Sequence, residues 1–479
     1  MTKQLLFFLF KNFSPLQTLA KNSFWIIFGR FSAGILRAIL VVVAARTLGV
    51  GNFGSFTLAM NFVLIFSFLP EFGFTAILTR ELSKRELEPQ KVFSLLFLLT
   101  LAFSLLTYIV IIGSAPIFVK DKAAAAIVSI LALMMIFDIL REFTYGVFRA
   151  EEKMEKQGLL HFATNLLLFG LAMYFLKTNP QLHLLADAYL ISIFVGAVSG
   201  CALIWPYLKQ LRLRIDWLLF FRFFHSAWPI ALANFLFLLL LYLDSVILGW
   251  FHSPYHVGLY NSTIKLTEFL VFFPQAIALA VFPMFSRSIT NREKLKHYLE
   301  LALKLSAVLM FPIVAGVFVL GERIIETIFS ASYLAAGPAL KLIIFSLLGT
   351  FPFLILSNLL IALDKRKELL IFDLILVAIN FSLNLILVPK FHFYASAYLT
   401  TLTSLLGFLF AYFISQKYVL FEFNRFLPKP FGAAAIMGAI LFIVKNSSLV
   451  LTLPLGVALY LLLLYVFKED LTVKVTQKK

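Results

Sequence analysis

Long apolar runs divided by short polar segments set the pattern of this chain. Residues 92–113 and 449–467 hold no charged side chain at all. Neither run alternates polar with apolar positions as the strands of a membrane barrel do, so continuous apolarity at this length points to helices. A helix rises about 1.5 Å per residue, and about 20 residues cross the hydrocarbon layer. Divided at turn signals and charge clusters, the pattern predicts spans near 22–45, 53–78, 92–113, 123–147, 158–177, 183–207, 227–250, 257–285, 302–320, 336–361, 368–388, 393–415, 431–446 and 449–467. The thirteenth is short, which leaves twelve spans and a re-entrant pair as the alternative. The expected fold is all-α and integral to a membrane, with about fourteen transmembrane helices.

Composition agrees. The chain is 61% hydrophobic and 14% charged, whereas soluble proteins are about a quarter charged. The formal net charge of +17 would suit nucleic acid, but its distribution argues against that partner. With the N-terminus inside, 29 of the 41 Lys and Arg residues fall in inward segments and 7 in outward ones. That loop-by-loop alternation is the positive-inside rule. It places both termini in the cytoplasm, the chain in the inner membrane, and the basic excess against anionic lipid. Residues 1–21 read as a cytoplasmic interfacial lead-in, because the apolar run 5–10 is too short for a cleaved signal. No loop is long enough for a soluble domain. No phosphate-binding Gly-x-x-x-x-Gly-Lys-Ser/Thr sequence occurs, so transport by this chain must use an ion gradient or membrane potential, or run downhill. Cys201 reads as a small core residue. His252 and His256 flank Pro254 without a further ligand cluster, so neither metal nor cofactor is expected.

The chain also divides in two. Gly54 and Phe56 match Gly258 and Tyr260 in spacing, each before a long span, and both halves begin on the cytoplasmic side. Parallel repeats of this kind build transporters whose lobes rock about a substrate between them. The expected division is an N-lobe at 22–222 with spans one to six and a C-lobe at 223–416 with spans seven to twelve. Residues 417–479 supply spans thirteen and fourteen and a cytoplasmic tail.

Several motifs resemble the Wzx-type polysaccharide flippases of the multidrug/oligosaccharidyl-lipid/polysaccharide exporter superfamily, over nearly the whole chain. Near the N-terminus they are Ala45-Arg46-Thr47-Leu48-Gly49, Glu71-Phe72-Gly73-Phe74 and Thr79-Arg80-Glu81-Leu82, followed by Gly146 to Met154. The centre carries Leu243-Asp244-Ser245-Val246-Ile247-Leu248-Gly249, Val257-Gly258-Leu259-Tyr260, Lys265-Leu266 and Phe282-Pro283. The second half adds Asn380, Asn384, Pro389 and Ala395 to Ala397. Between that proline and those alanines the family usually has glycines, where this chain has Phe391-His392-Phe393-Tyr394. The resemblance implies flipping of a polyprenyl-diphosphate-linked oligosaccharide for O-antigen, capsule or exopolysaccharide assembly. Membrane lipids, and the polysaccharide polymerase machinery, are the partners it implies.

An anionic diphosphate needs a cationic cavity, and ionisable groups inside a bilayer usually face a cavity or a partner. Arg30 and Arg37 are seven apart on one face of the first span. Guanidinium suits diphosphate because it donates two parallel charge-assisted bonds. Lys265 in the eighth span matches the placement of a cation in related flippases. These three are the candidate substrate-binding residues, with structural pairing to neighbouring acids as the alternative. Glu71, Asp244 and Glu268 are candidates for ion coupling or gating, and Glu268 lies on the face of Lys265 three residues on. Asp138 and Arg141 read as a structural pair. No catalytic residue is expected. A cation antiporter of the same superfamily would want acids where the first span has arginines. A flippase for lipid-linked peptidoglycan precursor shares the expected chemistry. A membrane transferase would need catalytic acids and a sizeable loop.

Overall fold

The computed structural model describes residues 14–213 and 216–469. The expected lead-in before residue 14, the tail beyond 469 and Arg214 lie outside the described residues. Two compact units divide between Tyr255 and His256.

Unit 1 opens with α1 (Pro15–Ile65), capped by the Ser14 hydroxyl, which accepts from the Gln17 amide at 3.3 Å. Fifty-one residues in one straight helix would run about 76 Å, far beyond a bilayer. The backbone leaves the helical region at Gly49, with φ 75° and ψ 171°. That conformation is nearly confined to glycine, and it lies where the sequence ends one span and opens the next. The second crossing is itself interrupted. Short α2 (Phe68–Glu71) and α3 (Phe74–Lys84) are separated by Phe72 at φ 31° and Gly73 at φ 77°. Gly73 also admits a neighbour, since a Cβ there would stand 3.3 Å from the Ile230 side chain.

Then follow α4 (Pro89–Phe118), α5 (Lys122–Ala150), α6 (Met154–Thr178), α7 (Leu182–Leu203), short α8 (Trp205–Leu208) and α9 (Trp217–Phe251). Helix α1 lies closely against α6 through Gly29 and Gly158; a Cβ on Gly158 would fall 2.4 Å from the Trp25 carbonyl oxygen. Glycine is required there for the approach, as small residues are where membrane helices touch. Buried Phe74, Phe93, Leu96, Phe143 and Phe148 form the apolar core between α3, α4 and α5.

Unit 2 contains α10 (Pro254–Ser288), α11 (Arg292–Phe329), α12 (Gly337–Ile343), α13 (Ser346–Ala362), α14 (Arg366–Gln416), α15 (Pro428–Ile443) and α16 (Leu449–Val466). Its core gathers Leu299, Leu303, Ile355, Leu356 and Leu359. Like α1, α14 has 51 residues and an internal break, here near its middle at His392 with φ 52° and ψ −141°. The last two helices are tied into the unit. The Tyr460 hydroxyl donates to the Val308 carbonyl at 2.7 Å, Lys304 pairs with Glu469 at 3.1 Å, and Arg323 donates to the carbonyls of Lys445 and Ser447.

Ten helical stretches among the described residues are long and apolar enough to cross a membrane. Two of them, Gln17–Lys84 and Arg366–Gln416, are double crossings. The pair Ala331–Ile343 and Ser346–Ala362, bent by 50°, and the shorter Pro428–Ile443 add the other two. These segments coincide with the fourteen apolar segments of the sequence, and Pro428–Ile443, at 16 residues, is shorter than a full crossing. Large apolar side chains such as Ile109, Leu279 and Val450 point outward, as a lipid-facing surface requires.

Candidate functional site

The polar centre of unit 1 is built on one face of α6. Gln157, His161 and Asn165 recur every four residues, so they line one side of that helix. The glycine contact holds α1 against this side and brings two of the expected residues to it. The Arg37 Nε–H donates to Asn165 Oδ1 at 2.7 Å. Asn165 is buried, and its own Nδ2 donates to the His161 carbonyl at 2.7 Å. About two turns nearer the start of α6, Arg149 donates through Nε to Gln157 Oε1 at 3.1 Å.

Arg30 lines a cleft of about 40 Å³ with Glu142, Tyr145, Arg149, Gln157 and His161, beside the Gly29–Gly158 contact. That volume suits a water or two rather than a sugar. Glu142 stands 3.8 Å from Arg149 and 3.9 Å from Arg141, too far for direct hydrogen bonds. Arg141 is 1% exposed and pairs with Asp138 at 2.5 Å, so this pair is structural as its spacing suggests. Its guanidinium also lies 5.6 Å from the Tyr145 ring centroid, a favourable cation–π distance. Among the described residues no ion pair forms at Arg30 or Arg37. Both side chains are exposed on the protein surface.

The other candidates lie elsewhere. Glu71 ends α2 at the break in the second crossing, exposed, with Arg149 and Asp138 the charges acting on it. Asp244 is buried in α9. In unit 2 Lys265 and Glu268 form the expected same-face ion pair at 2.8 Å, both half-buried. The structure thus brings Arg30 and Arg37 to one polar face, and neutralises Lys265.

Sequence reasoning met Arg149 only as inward-side charge and within the Gly146–Met154 motif, giving it no site role, and did not single out Glu142, Tyr145, Gln157, His161 or Asn165. The four-residue recurrence of polar side chains within an apolar span was the signal available. Among the described residues no group of three or more His, Cys, Asp or Glu side chains could hold a metal ion. His256 instead stacks on His392, with ring centroids 4.9 Å apart and planes at 10°.

Comparison with known sequences supplies the family. The profile of the polysaccharide biosynthesis protein family matches residues 19–289, more than half the chain. The chain belongs to that family. A second profile, MatE, matches residues 229–386. The probable flippase AglR of Haloferax volcanii is 25% identical over 449 residues, which is 89% of each chain. Among solved structures, the lipid II flippase MurJ in an inward closed conformation has TM-score 0.77 at 16% identity, covering 93% of this chain and 99% of that one. An inward-facing MATE multidrug transporter has TM-score 0.66 at 13% identity, covering 80% and 95%. These likenesses bear out the all-α transporter fold and the resemblance to polysaccharide flippases of the exporter superfamily. This member of the polysaccharide biosynthesis family is a multi-pass membrane protein similar in sequence to flippases.

Proposed function

We propose that the chain flips a polyprenyl-diphosphate-linked oligosaccharide from the cytoplasmic to the outer leaflet of the inner membrane, feeding polysaccharide assembly. The observation that carries this reading is the set of arginines in unit 1, Arg30, Arg37 and Arg149, none of which is cancelled by a close hydrogen-bonded carboxylate. A membrane span retains such cations where an anionic partner compensates their desolvation. The two lobes, 22–222 and 223–416, rock to alternate access, with both termini cytoplasmic and the polymerase machinery receiving the product. Glu71, Asp244 and Glu268 are the candidate carboxylates for ion coupling or gating, and Lys265 becomes a cation for an anionic ligand within unit 2 when Glu268 releases it.

A flippase for a lipid-linked peptidoglycan precursor is the second reading, favoured by the likeness in fold to MurJ. The arginines disfavour a cation antiporter, whose cargo they would repel.

The test is translocation of a fluorescent polyprenyl-diphosphate oligosaccharide in sealed liposomes, with and without imposed proton or sodium gradients. Flipping by the wild type that is lost in Arg37→Ala, with normal insertion, is the expected result. Efflux of cationic dyes without lipid flipping would move the assignment to the antiporters. Flipping of a peptidoglycan precursor alone would select the second reading.

A further inference from the structure

Two arginines of unit 1, on different helices, are gripped in the same way. Arg37 of α1 gives its Nε–H to Asn165, and Arg149 of α5 gives its Nε–H to Gln157, both on α6. In each case the acceptor is a neutral carboxamide oxygen. A guanidinium carries five N–H donors in a fixed plane. Binding it at Nε orients that plane while the terminal Nη1 and Nη2 of Arg37 stay available for the two parallel bonds that a phosphate accepts; at Arg149 the Nη2 faces Glu142 at 3.8 Å, beyond hydrogen-bond reach.

The amide at 165 is itself locked. Its Nδ2 is committed to the His161 carbonyl at 2.7 Å, so Oδ1 must face the arginine, and the side chain is 2% exposed. A carboxylate at the same point would hold Arg37 more tightly and cancel its charge. Arg141, one helix away, illustrates that alternative: it is buried and bonded to Asp138 at 2.5 Å.

We infer that Asn165 and Gln157 are positioning residues, which aim Arg37 and Arg149 at a diphosphate without neutralising them. The two carboxamides are eight residues apart, about 12 Å along α6. This inference rests on the anion-site reading of the arginines and extends it to neutral residues with no charge of their own to offer a ligand.

The experiment titrates farnesyl diphosphate, a short prenyl diphosphate, into the full detergent-purified chain by calorimetry at low and high salt. Thermal unfolding of each variant is followed alongside. Asn165→Asp should weaken binding about tenfold at low salt and flatten its salt dependence, since one site charge is cancelled. The unfolding temperature should hold or rise, because an ion pair replaces a neutral hydrogen bond. Asn165→Leu should also weaken binding but keep the wild-type salt dependence, having lost orientation and no charge. Gln157→Glu repeats the test independently through Arg149 should the change at 165 disturb folding. Wild-type affinity and salt dependence in both acidic variants, with binding lost in Arg37→Ala, would overturn the inference and leave the anion site standing. Undiminished binding in Arg37→Ala would instead overturn the anion-site reading itself.

Discussion

Both units place basic side chains inside apolar helices, yet Arg37 of unit 1 and Lys265 of unit 2 are held by opposite kinds of partner. In unit 1 Arg37 is held by a neutral amide, and among the described residues Arg30 has no ion pair. In unit 2 Lys265 is held by Glu268 at 2.8 Å. The chemistry of the two side chains explains why the arrangements are not interchangeable. A guanidinium can be gripped along one edge and still present another, whereas an ammonium is a point charge whose nearest carboxylate largely neutralises it. A cation within a span therefore marks a possible site, and its partner decides whether the charge is on offer.

The sharpest way to break this contrast is to remove each cation in turn. Arg37→Ala should lower affinity for a prenyl diphosphate by about a hundredfold, since truncating one side of a desolvated charge pair costs several kcal/mol. Lys265→Ala should lower it less than about threefold, because that charge is already compensated. Calorimetric titration of both variants side by side measures the difference. Equal losses would mean that the ion pair in unit 2 opens for the ligand and that the contrast between units is confined to the unliganded state.

A smaller effect sharpens the same comparison from the other side. Glu268→Gln should convert Lys265 from a paired to an available cation and tighten binding of the same probe by about fivefold, within the range expected of one added charge-assisted bond. The double variant Glu268→Gln with Lys265→Ala should lose that gain. A gain that survived the loss of Lys265 would trace to something other than its release.

Much of this architecture was open to reading from the residues, and the exceptions are instructive. Hydropathy alone yields the crossings, because a bilayer demands the same length of apolar helix wherever it is crossed. The pairs Lys265–Glu268 and Asp138–Arg141 follow from helical spacing, which is local and needs no knowledge of packing. The pairing of α1 with α6 is different. Gly29 and Gly158 are distant in sequence, and nothing in either span specifies which glycine the other will meet. Arg149 was hidden by its position near a helix end, where a cation also serves topology. Asn165 and Gln157 were hidden by neutrality, since a search for charge in an apolar span passes over the amides that direct it.

The two units also reverse their longest helices by one device made from different residues, and this gives the smallest and most local prediction. Gly49 breaks α1 at φ 75°, ψ 171°, and His392 breaks α14 at φ 52°, ψ −141°. Both lie in or beside a backbone region that is nearly glycine's alone, where a side chain costs about 1–3 kcal/mol. A Cβ at Gly49 would meet nothing within 4 Å, so Gly49→Ala should destabilise through backbone strain alone. At His392 the chain already bears that strain, and the stack on His256 at 4.9 Å offsets part of it. His392→Gly relieves the strain but gives up the stack, so the net gain in stability should be small, about 1 kcal/mol or less. Thermal unfolding in detergent, with His256→Ala measured in both backgrounds, separates the two contributions. If the histidine stack is what compensates the backbone, His256→Ala should destabilise the chain only while His392 is present. An equal loss in both backgrounds would show that His256 stabilises α10 by some other contact, and that the break in α14 carries its strain without help from the stack.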